Sequence, residues 1–296
     1  MLGRGTSSYG AGLTAFLLRQ GERVVEACRP KRPPRRGGRK SDALDAAREI
    51  LSGDHLIEPC QRGNREALRV LMSTRAGAVS ARTAAINHLK ALIVSAPEQL
   101  RAELRDRSSD AQIGYCAKLR DRPAQNLEHR TTVRAMRSTA HRIHALKAEA
   151  NELEREIARL VGQARPDLVR LPGVGPLSAA QVLISWSHPG RLRSEAAFAS
   201  LAGAAPIPAS SGLTNRYRLN RGGDRQLNRA LHTIVLTRSR TDPATRAYID
   251  RRLAEGKTLR DIKRCLKRIV ARQLFRLLQH HNQATDDQNI TTLDAT

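Results

Sequence analysis

Aromatic side chains are scarce: three Phe, four Tyr and one Trp make up 3% of the 296 residues. That scarcity argues against an RNA-recognition sheet or a single-strand channel built on base stacking, since each needs aromatic platforms. Acidic residues are few as well, 28 against 52 Lys and Arg, leaving a formal net charge of +24. An enzyme of small metabolites has no use for that excess, whereas a polyanionic partner does. No apolar run approaches the roughly 18 residues that cross a bilayer, and no signal-peptide pattern opens the chain. Nucleic acid is therefore the expected polyanion, with no membrane partner, and phosphate contacts should dominate its recognition. The four cysteines, Cys28, Cys60, Cys116 and Cys265, lie far apart with no C-x-x-C pair. Neither a zinc site nor a disulfide framework has local support, and a reduced, cytoplasmic protein is expected.

What is present is mostly helix-forming sequence with a small α/β part at the start. Ala11 to Arg19 reads as a short helix, followed by the strand-like Arg23-Val-Val-Glu-Ala27, whose valines suit a pleated, half-buried surface. Pro30 to Lys40 holds three prolines, two glycines and six Lys or Arg, a composition that forms neither helix nor central strand. After it, Ser41 can cap a helix bearing Asp42, Asp45, Ala46 and Ile50. From Glu66 to Ser95 the apolar residues Leu68, Leu71, Val79, Ile86, Leu89 and Ile93 recur at helical intervals, predicting a long amphipathic helix. A second long helix is more sharply specified. Met136, Ile143, Ala150 and Ile157 are one heptad apart, and Thr139, Leu146, Leu153 and Leu160 follow three residues later in each heptad. Such a seam predicts a coiled coil. Its partner is either a second copy of the chain, giving a homo-oligomer, or the preceding long helix in a hairpin.

Beyond Arg165-Pro166, helix-sized segments at Ser178 to Trp186, Glu195 to Leu201, Asp224 to Arg240 and Leu259 to His280 are joined by Gly and Pro punctuation. They predict a compact helical domain. The expected division is 1–60, 61–165 and 166–281, with a polar, disordered tail at 282–296.

Three constellations can carry chemistry. Leu171-Pro-Gly-Val-Gly-Pro-Leu-Ser has the form of a helix-hairpin-helix turn, in which Gly173, Val174 and Gly175 bring backbone amides toward a DNA phosphate; an ordinary interhelical turn is the other reading. Ser210-Ser211-Gly212 precedes a basic series, Arg216, Arg218, Arg221 and Arg225. A serine hydroxyl there can attack a phosphodiester while arginines offset the developing charge, although Ser-Ser-Gly is also a common loop. Asp42 and Asp45, three apart, share one face of a helix, as a divalent metal requires; a solvated helix start has the same look. Two-metal chemistry needs further carboxylates, and Glu26 is the nearest upstream acid.

The order of these motifs carries a resemblance. Gly5-Thr-Ser-Ser-Tyr-Gly-Ala-Gly-Leu, then Arg39-Lys-Ser-Asp-Ala-Leu-Asp-Ala, a long helical region, Leu171-Pro-Gly-Val-Gly, Ser210-Ser-Gly and Asn220-Arg-Gly-Gly-Asp-Arg-Gln-Leu-Asn-Arg-Ala-Leu resemble the transposases of insertion-sequence family one-hundred-and-ten, whose relatives include the Piv/MooV-type DNA invertases. The resemblance runs from about Gly5 to Leu278. It implies a RuvC-like, ribonuclease-H-type N-terminal region with a D-E-D-D carboxylate set, a coiled-coil insertion and a C-terminal domain with a nucleophilic serine. Asp42 and Asp45 match the last two acids and would hold Mg2+; Ser211 matches the nucleophile, with Ser210 one register away. Partners implied are DNA and a structured guide RNA made from the element's ends. An N-terminal truncation is also implied, because the family's first strand belongs several tens of residues before Gly5 and Arg4 stands where its glutamate is expected. The competing expectation is a catalytically silent nucleic-acid-binding remnant.

Overall fold

The structure, a computed structural model, describes residues 2–3, 10–27, 51, 56–57, 59–60, 62–120, 126–208, 217–218, 220 and 222–293. It is mostly helical, as the apolar periodicity predicts. The chain forms two compact units, Ala67–Gln181 and a second made of Met1–Glu66 with Val182–Thr296.

Ala67–Gln181 is built on two long helices, α2 (Asn64–Val94) and α5 (Leu127–Ala164), with the short α3 (Glu98–Leu104) and α4 (Ser109–Lys118) between them. Asn126 starts α5 by accepting the His129 N–H at 2.8 Å, and the Ser108 hydroxyl does the same for Ala111 at the start of α4. Leu89, Ile93, Leu100, Leu104, Ile113, Cys116, Val133, Met136, Ala140 and Ile143 form one buried cluster. Farther along, Arg75 pairs with Glu154 at 2.7 Å. Sequence numbers rise on α2 as they fall on α5, so the two helices run antiparallel. The pairing covers Met136 and Ile143; along the heptad seam Met136, Ile143, Ala150 and Ile157 are 0–4% exposed, Thr139 is buried, and Leu146, Leu153 and Leu160 are half-buried. Each large side chain so buried contributes roughly 1.5–3 kcal/mol. The first of each heptad pair is thus covered within the chain itself.

The other unit begins with a three-stranded sheet in the order β1 (Leu2–Gly3), β2 (Val25–Ala27), β3 (Leu56–Ile57). β1 and β2 are parallel, with Leu2 opposite Val25, and α1 (Ala11–Arg19) lies between them in sequence; β2 and β3 are antiparallel, with Glu26 opposite Ile57. This is the small α/β part read from the sequence. The remainder comprises α8 (Glu195–Leu201), the two-stranded pair β4 (Ile207–Pro208) and β5 (Tyr217–Arg218), α9 (Arg225–Thr241), α10 (Pro243–Ala254) and α11 (Leu259–Leu293). On α11, Ile262, Leu266, Val270, Leu274 and Leu278 recur every fourth residue and are all buried. Phe275 of the same helix meets Phe198 of α8 with ring centroids 5.9 Å apart.

Helices α3, α4 and α10 have no counterpart among the segments expected from apolar periodicity. The start of α10 is nonetheless legible, because Asp242 before Pro243 is a capping residue followed by proline at the first helical position, and its side chain does accept the Thr245 N–H at 3.1 Å.

Candidate nucleic-acid interface

The best-defined local architecture near a chemical motif is the joint at the foot of the β4–β5 pair. β4 and β5 are antiparallel, with Ile207 opposite Arg218 and Pro208 opposite Tyr217. Ser210, Ser211 and Arg216 stand between these strands in sequence and lie outside the described residues, as do Arg221, Asp42 and Asp45. The joint itself is described. Gly203 adopts φ +63°, a conformation that favours glycine, and a Cβ there would stand 3.1 Å from the Asn220 carbonyl. Gly223 is tighter: a Cβ on it would come within 2.5 Å of the Gly203 nitrogen and 2.6 Å of the Leu201 carbonyl. Backbone therefore presses on backbone, and only glycine fits.

Polar side chains lock the same joint. Asn220 Nδ2 donates to the Ser200 carbonyl at 3.2 Å, while Asn220 Oδ1 accepts the Gly222 N–H at 2.9 Å. Asn228 Nδ2 donates to the Ala202 carbonyl at 2.6 Å, and the Asp224 N–H donates to the Leu201 carbonyl at 2.6 Å. Asp224 also caps α9, accepting the Gln226 and Leu227 N–H groups at 2.9 and 3.1 Å through Oδ1; its Oδ2 accepts the Ser185 hydroxyl at 2.6 Å. One carboxylate thus starts a helix and ties it to α7 (Pro176–Trp186). Asn228 further accepts from Lys267 Nζ at 3.2 Å. Burial, and then the nearby Arg264, hold the pKa of that lysine below its ordinary value.

Other expected site residues fall as follows. Arg225 is exposed at the first position of α9, and Arg218 sits on β5 opposite Ile207. Gly173, Val174 and Gly175 belong to the unit Ala67–Gln181, in a turn between α6 (Pro166–Arg170) and α7. Gly173 has φ +72°, Val174 is buried with its N–H on the Leu171 carbonyl at 3.2 Å, and a Cβ on Gly175 would meet nothing within 4 Å. The backbone thus favours glycine at the first position, while the second leaves its outer face open.

No group of three or more His, Cys, Asp or Glu side chains that could hold a metal occurs among the described residues. Glu26, half-buried on the central strand of the sheet, belongs to no such group. The Mg2+ expectation rests on Asp42 and Asp45 alone. No described helix is long and apolar enough to cross a membrane.

Residue-type reasoning about nucleophiles misses Gly203, Gly223, Asp224 and Asn228. For Gly223 and Asp224 the signal is present in Gly222-Gly-Asp-Arg, two glycines before an acid that opens an apolar-periodic helix.

Comparison with known proteins places this segment. The chain is 36% identical over 124 residues to the "Insertion element IS110 uncharacterized 43.6 kDa protein" of Streptomyces coelicolor, covering 41% of this chain but only 31% of that protein. It is 28% identical over 295 residues to the "Insertion element IS900 uncharacterized 42 kDa protein" of Mycobacterium paratuberculosis, covering 83% of this chain and 73% of that one. Residues 166–250 match the Transposase IS116/IS110/IS902 family, so the glycine joint, the β4–β5 pair and the capping Asp224 all lie within a segment similar to that family's transposase domain.

Proposed function

We propose that the chain acts as the transposase of an insertion element, a DNA recombinase that cleaves and rejoins strands through a serine. The observation that carries this reading is the family match over 166–250, which contains both Ser210-Ser211-Gly212 and the joint fixing the strands on either side of it. A nucleophile acts well only when rigid elements present it. The arrangement at Gly203, Gly223 and Asp224 supplies such a base.

In the proposed reaction the Ser211 hydroxyl attacks a DNA phosphorus. A Ser–O–P bond forms, the bond from phosphorus to one deoxyribose oxygen breaks, and the departing sugar oxygen takes up the proton that serine loses. Attack by a sugar hydroxyl of another strand then reforms a phosphodiester and returns the proton to serine. Arg216, Arg218 and Arg221 would offset charge on the phosphoryl oxygens. Asp42 and Asp45, with a RuvC-like N-terminal region around them, would hold Mg2+ as the resemblance implies. The +24 charge would serve a structured guide RNA as well as DNA. A coiled-coil contact between copies would use what the α2–α5 hairpin leaves exposed.

The test supplies the element's flanking DNA and measures excision and joined ends. Ser211→Ala should abolish joining and leave DNA binding intact, because it removes the nucleophile and almost no contact area. Joining that survives both Ser211→Ala and Ser210→Ala would end the serine reading. Binding without joining by the unaltered chain would establish the silent remnant instead.

A further inference from the structure

A cleft of about 830 Å3 opens beside the joint, walled on one side by Gly203–Pro206 and on the other by α10, the turn after it and α11. Five cations line it, Arg252, Lys257, Arg264, Lys267 and Arg268, with Asp261 the single lining acid. Carboxylates already pair three of them: Glu255 with Arg252, Asp261 with Arg264 at 3.1 Å, and Glu195 with Arg268 at 3.8 Å. Lys257 and Lys267 have no carboxylate partner among the described residues. Lys267 is only 9% exposed, and its one hydrogen bond runs to a neutral acceptor, Asn228 Oδ1. A buried ammonium so placed lacks the counter-charge that ordinarily makes its burial tolerable. Arg252 Nε, in the same wall, is shielded from solvent with no acceptor. Two ammonium groups are therefore left for an anion. The cleft is far larger than a lone phosphate, and Pro206, Tyr248 and Ile269 give it apolar wall that suits a sugar.

We propose that this cleft seats a phosphodiester of a DNA strand and holds that strand beside the β4–β5 pair. The proposal rests on the recombinase reading above, and it adds a site whose five cations, residues 252–268, lie past the segment that matches the transposase family. Lys267 bonds Asn228, and Asn228 bonds the Ala202 carbonyl next to Gly203, so a phosphate on Lys267 would be one side chain from the glycine joint. DNA is preferred over RNA because the serines proposed to act on DNA stand between β4 and β5 in sequence.

The experiment measures affinity of the full chain for a short duplex DNA across a range of salt. Removing one cation that neutralises a phosphate should reduce the log–log salt slope by about 0.9. Lys257→Met with Lys267→Met should therefore flatten the slope by nearly twice that amount and weaken binding at low salt, whereas Lys267→Arg should keep the wild-type slope. If burial of Met at 267 prevents folding, Lys257→Met alone, on its exposed site, gives the same reading for one cation. Cys265, exposed in the cleft, offers a second readout, since saturating DNA should slow its alkylation. A steep wild-type slope with an unchanged slope in the lysine variants, or unchanged Cys265 alkylation, overturns the cleft alone. Failure of the wild type to bind DNA overturns the recombinase reading itself. A slope that flattens for structured RNA but not for duplex DNA overturns the choice of DNA.

Discussion

At the scale of single residues, Gly223 is the position where the backbone argument is sharpest. An added methyl would sit 2.5 Å from one main-chain atom and 2.6 Å from another, neither of which is the flexible end of a side chain. Gly223→Ala should therefore destabilise the chain by roughly 1–3 kcal/mol, the usual range for forced overpacking. Gly222→Ala is the control: its nearest neighbour would be Asn220 Oδ1 at 3.4 Å, an ordinary contact, so its effect should stay within about 0.5 kcal/mol. Urea denaturation of the two variants checks the contrast, and equal losses would mean that the joint has more give than its distances imply. Cys116 provides a different residue-scale prediction. Burial pushes its thiol up from 9.0 to about 11, so it should resist alkylation in the native chain while exposed Cys265 reacts. The unfolded thiol ionises first as pH rises, so the stability this burial contributes is complete below about 9 and is lost between about 9 and about 11. Rapid native labelling of Cys116 at neutral pH would contradict it. The sequence marks Gly222-Gly223-Asp224 as a helix start, but neither the clash at Gly223 nor the burial of Cys116 was legible in it. A glycine pair or a lone cysteine acquires its meaning from neighbours that are distant along the chain.

At the scale of elements, much of the helical layout was legible, because a 3.6-residue apolar period is a local property. Ala11–Arg19 and Glu195–Leu201 form where the pattern predicts them, and the two long helices extend beyond their periodic cores, α5 starting at Leu127, well before Met136. What covers the heptad seam was not legible, since the same repeat fits a hairpin and a pair of chains. The α2–α5 pairing supplies cover from within the chain for Met136 and Ile143, and Ala150 and Ile157 are buried as well. Ile143→Ala should accordingly cost roughly 2–5 kcal/mol, as truncation of a well-packed core side chain does. The loss should not depend on protein concentration. Leu127→Ala, at a position 76% exposed, should change stability by less than about 0.5 kcal/mol. A concentration-dependent loss for Ile143→Ala would move the seam to a contact between copies.

For the whole molecule, composition was the most legible property and the chemistry the least. A charge of +24 and 3% aromatics can be read without any fold, and they specify how a partner is held: by phosphate, with little stacking. The proposed serine and acids could be named only through the order of their motifs, since Ser-Ser-Gly and a pair of aspartates three apart are individually commonplace. The cleft at Lys257 and Lys267 was invisible for another reason. Its two walls are separated by about fifty residues of sequence, and only the packing of α11 against α8 and α9 brings them together.

The same composition leads to a prediction for the complete chain. Lys and Arg contacts to a nucleic-acid backbone release condensed counterions, so affinity falls steeply as salt rises; with 6–10 phosphate contacts the fall is about 10³–10⁵-fold between 50 and 200 mM salt. Base stacking has no such counterion dependence, and this chain has only eight aromatic residues to support it, counted as three Phe, four Tyr and one Trp. Duplex DNA should therefore be bound at least as well as a single strand of the same length, with a steep salt slope for both. Arginines and lysines spread over both compact units would make that slope exceed what the cleft lysines remove. The measurement is a fluorescence titration of each ligand over a series of salt concentrations. Nearly flat affinity, or strong preference for single strands that persists at high salt, would show that stacking or apolar contacts carry the binding and that the charge does not.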